Sequence, residues 1–219
     1  MESASMHYEE LCRRTEEARA ALVGIPVIRD CLEGRVTRAQ YLAFLGEAYH
    51  HVRHTVPLLM ACGSRLEGET ASWLRPALAG YIAEESGHED WILQDIAASG
   101  GDPHEARRRQ PAPATEVMVA YAYDTIARRN PIGFLGMVHV LEGTSVALAT
   151  RAAAAMRGAL GLPASAFTYL TSHGSLDQQH VRTFAGLVER LGEEDRADVA
   201  HVARMMYRLY GDIFRSLAA

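Results

Sequence analysis

The sequence contains no lysine, and all 22 of its basic residues are arginine. That absence excludes Schiff-base catalysis and a P-loop lysine. Cysteine is scarce. Cys12, Cys31 and Cys62 form no CxxC pair, and an odd count suits a reducing compartment. No apolar stretch is expected to approach the ~20 residues of a membrane span. The first ten residues carry Glu2, Glu9 and Glu10 and lack the basic-then-apolar pattern of a secretory signal. A soluble, cytoplasmic protein is expected. An excess of positive charge is missing too. The net charge is -5 and the pI about 6.1, which argues against a nucleic-acid partner. What is present is a globular balance of 48% hydrophobic and 22% charged residues over 219 positions.

Helical periodicity runs almost throughout, and no stretch alternates as a strand would. Residues 1–5 are expected to fray. The pattern predicts a first helix over Tyr8–Val23, stopped by Gly24-Ile25-Pro26. Thr37 is the expected N-cap of a second helix to Cys62, with a kink at Pro57. A third covers Glu69–Ala98 and ends at Ser99-Gly100-Gly101-Asp102-Pro103. A polar connection with Arg107-Arg108-Arg109 follows. The fourth helix spans Thr115–Arg129, and the fifth runs from the Asn130-Pro131 break to Gly158. Ser165 is the expected cap of a sixth helix to Leu191, and a seventh covers Glu193–Leu217. Seven helices joined by short turns predict one all-α bundle domain over residues 1–219.

A bundle core has little use for charge, since an unpaired buried ion costs several kcal/mol. Carboxylates and imidazoles on apolar helix faces therefore stand out. The third helix places Glu85 and His88 three apart, hence on one face, with Leu78, Ile82, Ile92 and Asp95 on roughly the same side. Glu142 sits alone among Val138, Leu141, Val146 and Leu148 on the fifth. On the sixth, His173, Asp177 and His180 are spaced by four and then three, which makes one stripe. The second helix carries Glu47, His51 and His54. Any one of these groups alone would be an ordinary core or surface residue. Together they follow the logic of dinuclear carboxylate sites, where helices contribute single Glu residues and acid-x-x-His pairs. Oxygen and imidazole donors without a thiolate suit Fe(II) or Mn(II) better than structural zinc.

From about Leu32 to Leu191 the chain resembles the haem-oxygenase-like superfamily, and within it the diiron oxidase and oxygenase branch, whose members are often labelled TenA-like or PqqC-like. Leu32-Glu33-Gly34-Arg35-Val36-Thr37 followed by Tyr41-Leu42 is similar to the entry to that superfamily's long helix. Its ligand pattern is a Glu and a His on one helix, a Glu on the next, and His-x3-Asp-x2-His on a third. Glu85 and His88, then Glu142, then His173, Asp177 and His180 match it, at separations of 54 from His88 to Glu142 and 31 from Glu142 to His173. Glu84 is the reserve for Glu85, and Glu47 would be an extra ligand of the kind some members recruit.

The resemblance implies a seven-helix haem-oxygenase-like fold, two Fe(II) with Mn as the alternative, O2 as co-substrate and an external electron donor. It also implies a homodimer and a small organic substrate. Known outcomes in the branch are N-oxygenation of amines, oxidative C–C cleavage of amino acids and decarboxylation of fatty acids. From the sequence itself, Phe44, Tyr49, Leu135, Met137 and Tyr169 are candidates to line an apolar pocket, and Arg53, Arg128 or Arg182 to pair with a substrate carboxylate, although each arginine reads more readily as an ordinary surface residue. The chain departs from other branches. No Cys lies near the fifth helix, as thiaminases need. The only His before residue 50 is His7, which leaves a haem no axial ligand on an ordered first helix. The self-sacrificing chlamydial relatives depend on a Lys. Two rival expectations are a metal-free catalyst or small-molecule binding protein on the same fold, and an interaction protein with a filled core and no pocket beside Glu142.

Overall fold

The computed structural model describes residues 6–217, except for the side chains of residues 174–178. The frayed start expected at residues 1–5 lies outside the described residues. Among those described, the chain is helical and holds no strand. The all-α expectation holds, but there are more helices than seven.

Helix α1 spans Met6–Val23 and ends where Gly24-Ile25-Pro26 was expected to stop it; α2 starts at once as Pro26–Leu32. Thr37 caps α3 (Arg38–Val52) in a reciprocal capping box with Gln40. The long second helix is in fact two, because α4 covers Thr55–Arg65. The break falls at Arg53-His54 and not at Pro57. A proline ring collides with the carbonyl four residues earlier, which here belongs to Arg53. The helix therefore restarts so that Pro57 falls in its first turn.

The third predicted helix is also two, α5 (Gly68–Glu85) and α6 (His88–Ala98). Between them Ser86 has φ -66° and ψ 119°, and Gly87 has φ 91° and ψ 1°. These are the angles of a type II turn, which requires a positive φ at its third residue and hence glycine. A Cβ at Gly87 would meet nothing within 4 Å, so the demand is purely conformational. Gly87→Ala is expected to cost about 1 kcal/mol from backbone strain alone. Thermal unfolding should show a midpoint lower by about 2–4 °C.

The polar connection contains a short helix, α7 (Pro103–Arg108), capped by the Asp102 carboxylate. Next come α8 (Pro113–Arg128), a 3-10 turn at Pro131–Phe134, and α9 (Leu135–Leu160). A second 3-10 turn (Ala164–Ala166), α10 (Thr168–Arg190) and α11 (Glu193–Ser216) complete the chain.

The core is built around α9, which packs on α10, α11 and α2. A Cβ at Gly136 would lie 2.6 Å from backbone atoms of Val199 and Ala203, so glycine permits the close approach of α9 to α11. The most apolar 18-residue window of Pro131–Leu160 has mean hydropathy 1.5, so the segment is long and apolar enough to cross a membrane by length and composition alone. This corrects the expectation of no such stretch. More than half of the segment's most apolar window is buried inside the bundle, and core packing accounts for its character.

Candidate metal centre

Three structural devices bring the polar groups together. The type II turn comes first. It places Glu85, the last residue of α5, beside His88, the first of α6, with His88 Nδ1 3.0 Å from Glu85 Oε2. Sequence spacing assigned both residues to one helical face. They meet instead across a break. Burial pushes the Glu85 carboxyl up, but the hydrogen bond from His88 and the charges of His88, His173 and His180 outweigh it. The group is held below the usual carboxylate range.

The second device is Asp95, one residue of α6 that the sequence placed on the buried side without a role. Its side chain is fully buried. Its two oxygens accept the backbone N–H groups of Thr168 and Tyr169, both at 2.9 Å. It thus caps the first turn of α10, where Ser165 had been expected to act. Negative charge at a helix N-terminus is favourable, and two otherwise orphaned donors are satisfied. Helix α6 therefore both supplies His88 and anchors the helix that bears His173.

The third device is the α10 stripe. His173 Nδ1 lies 3.0 Å from the Tyr169 carbonyl. A carbonyl only accepts, so Nδ1 carries the proton and Nε2 keeps its lone pair, as a metal ligand requires. The His173 and His88 rings meet edge to face at 4.8 Å. Glu85, His88 and His173 each present a ligand atom within 4.8 Å of the others. His180 is buried. Its Nδ1 lies 3.6 Å from Glu142 Oε1 and 3.7 Å from Glu85 Oε1, and its Nε2 lies 2.9 Å from Glu84. Tyr81 donates to the His180 carbonyl at 3.3 Å. Asp177 belongs to the same helix, and its side chain lies outside the described residues.

Five of the six expected residues thus converge from α5, α6, α9 and α10. The two reserve acids have other surroundings. Glu84 is half exposed and faces His180 from the rim. Glu47 is buried, and its Oε2 accepts from the Ala112 N–H (2.9 Å) and the Thr115 hydroxyl (2.6 Å). Arg109 approaches its other oxygen at 3.6 Å. Glu47 serves the start of α8, as Asp95 serves α10.

Sequence reasoning also missed Trp91, which stacks on His88 at 4.0 Å and closes that side of the cluster. No periodicity singles it out. His51 is buried and lines a cavity together with Glu85, Glu142 and His173. Burial, with His173, His54 and His50 nearby, pushes its pKa down to about 3, so it is neutral at pH 7. His139, three residues before Glu142, is buried between Tyr8, Phe184 and Tyr207; burial lowers its pKa to about 4.

The cavity has a volume of about 150 Å³. Of the expected lining, Phe44, Met137 and Tyr169 are there; Tyr49 and Leu135 are not. Arg53, Arg128 and Arg182 are exposed and take no part in it. The cavity also answers one rival expectation, since space exists beside Glu142.

Comparison with known proteins adds three facts. The pattern of a family described as iron-containing redox enzymes matches residues 42–211. No curated protein matches the sequence. Solved structures align over nearly the whole chain. A domain of unknown function with a haem-oxygenase-like fold from Shewanella denitrificans is 24% identical, with TM-score 0.83, covering 100% of this chain and 93% of that one. A TenA homologue from Pseudomonas syringae pv. tomato is 10% identical with TM-score 0.80, covering 97% and 92%. Haem oxygenase-2 from Synechocystis, solved with haem and NO, is 16% identical with TM-score 0.76, covering 96% and 84%. These likenesses identify the fold as haem-oxygenase-like.

Proposed function

Because this chain belongs to the family of iron-containing redox enzymes, we propose that it binds two non-haem irons between its helices and oxidises a small organic substrate with O2. The observation that carries this reading is the convergence of two carboxylates and three imidazoles beside a largely apolar cavity. The donor set fits the metal. Oxygen and nitrogen ligands without thiolate suit Fe(II), and with the proton on His173 Nδ1 the Nε2 atom carries the lone pair that a metal ligand requires.

Glu85, His88, Glu142, His173, Asp177 and His180 would hold the metal pair. Iron bound there supplies the electrons that activate O2, with an external donor to renew them. The residues of the chain do the rest. His173 is oriented through Tyr169, and His88 through Glu85 and the Trp91 face. Glu84 and Tyr81 steady His180 from outside. The apolar walls keep bulk water from the reacting groups and from any oxidising species formed beside them.

The test is O2 uptake by protein loaded anaerobically with Fe(II), beside Mn(II)-loaded and metal-free samples. Uptake by the iron-loaded protein should exceed that of the same Fe(II) free in buffer. Uptake equal to free Fe(II), together with small-molecule binding by the metal-free protein, would favour the metal-free catalyst on this fold.

A further inference from the structure

The cavity has a chemical asymmetry. Its lining follows one stripe of α9 from Met137 to Met156 and reaches α2 at Val27, Ile28 and Leu32. From Glu142 to Met156 that stripe extends about 21 Å at the helical rise. Past Ser145 every α9 residue in the lining is apolar, and Ala149 and Ala152 leave room where larger side chains would fill it. Among the described residues no arginine lines the cavity, and the chain has no lysine.

Within the lining, partnerless buried polar atoms occur on the α9 turn that follows Glu142 and on α3. The Thr144 and Ser145 hydroxyls and His51 Nδ1 are buried, line the cavity and find no hydrogen-bond partner among the described residues. Buried polar atoms without partners are uncommon, and those that face a cavity can bond to a molecule held in it. Two of the other polar residues in the lining are already engaged: Gln40 in the α3 cap and Tyr41 on the Ala166 carbonyl at 2.6 Å.

We propose that the substrate is an amphiphile with one polar head and an extended, uncharged apolar tail. The head lies beside Glu142, against Thr144, Ser145 and His51. The tail runs along α9 over Ala149 and Ala152 towards Met156 and α2. An amino acid has no long apolar segment to occupy the stretch over Ala149 and Ala152, and among the described residues the lining offers its carboxylate no arginine. The assignment deepens the iron reading and rests on it for the reacting end only.

Calorimetric titration of the metal-free full chain with alkyl carboxylates, amines and alcohols of six to twelve carbons tests the tail. L-leucine and L-arginine serve as polar controls. Affinity should rise about fourfold per methylene, the value for burying a CH2 group, and the three series identify the head. Ala152→Phe should weaken the twelve-carbon ligand at least tenfold and leave the six-carbon ligand unchanged. Ala149→Phe is a second plug should the first lower the unfolding midpoint. Thr144→Val should weaken all chain lengths by a common factor. A flat chain-length series, unchanged binding in both plugged variants, or amino acids binding more tightly than alkyl ligands would overturn the proposal. Iron counted separately in the plugged variants keeps the two readings apart. Normal iron with no chain-length effect sinks the substrate assignment alone. Chain-length dependence without iron in any sample sinks the metal reading alone.

Discussion

Glu142→Gln is expected to abolish the thermal stabilisation that Fe(II) gives the wild-type protein, while leaving the metal-free protein folded. A metal that binds the native state at 100 times its dissociation constant adds about 2.7 kcal/mol. For a chain of this size that raises the unfolding midpoint by about 5–10 °C. Glutamine keeps the volume and one carbonyl of Glu142 but removes the charge that balances a divalent ion. The rest of the cluster stays paired, because His180 retains Glu85 and Glu84. Because Glu142 also approaches His180 at 3.6 Å in the metal-free protein, the variant's own metal-free midpoint is the baseline against which its iron-dependent shift is read. Anaerobic melting curves with and without Fe(II) read both quantities. An undiminished iron-dependent shift in the variant would remove Glu142 from the site.

Asp95→Ala should have the opposite signature, a large loss of stability that does not depend on metal. The two backbone donors it satisfies, on Thr168 and Tyr169, open α10. Without the carboxylate they are left without acceptors inside the bundle. The cost is about 2–4 kcal/mol, or a fall of about 5–15 °C in midpoint. Asp95→Asn keeps one acceptor oxygen and should fall between. Because the start of α10 positions His173, the alanine variant should also bind iron more weakly at temperatures where it remains folded. A midpoint within 2 °C of wild type would show that the cap contributes little.

The site was legible in the sequence wherever its logic is local. His173 and His180 lie on one stripe of α10, as spacings of four and three require, and Glu142 was conspicuous as the single carboxylate on an apolar helix. Thr37 read correctly as a cap because its partner Gln40 is three residues away. The pairing of Glu85 with His88 was found for an incomplete reason. Helical spacing suggested it, and a type II turn achieves it; the Ser86-Gly87 dipeptide carried the signal. Asp95 and Glu47 were opaque because the groups they bond lie 73 and 65 residues further along the chain. A buried acid reads alike from sequence whether it meets a metal or caps a distant helix. Arg53, Arg128 and Arg182 read more readily as ordinary surface arginines than as partners of a substrate carboxylate, and the structure leaves all three exposed and outside the cavity lining.

The central claim is the metal pair, and it is tested most directly by counting iron. Wild type and His173→Ala would be loaded anaerobically with Fe(II), desalted and measured for iron per chain. The account predicts about two irons in the wild type, as in dinuclear carboxylate bundles, and a clear loss in the variant, whose Tyr169-oriented imidazole is gone. Equal iron in the two proteins, or none retained by the wild type even in the presence of a bound alkyl ligand, would contradict it.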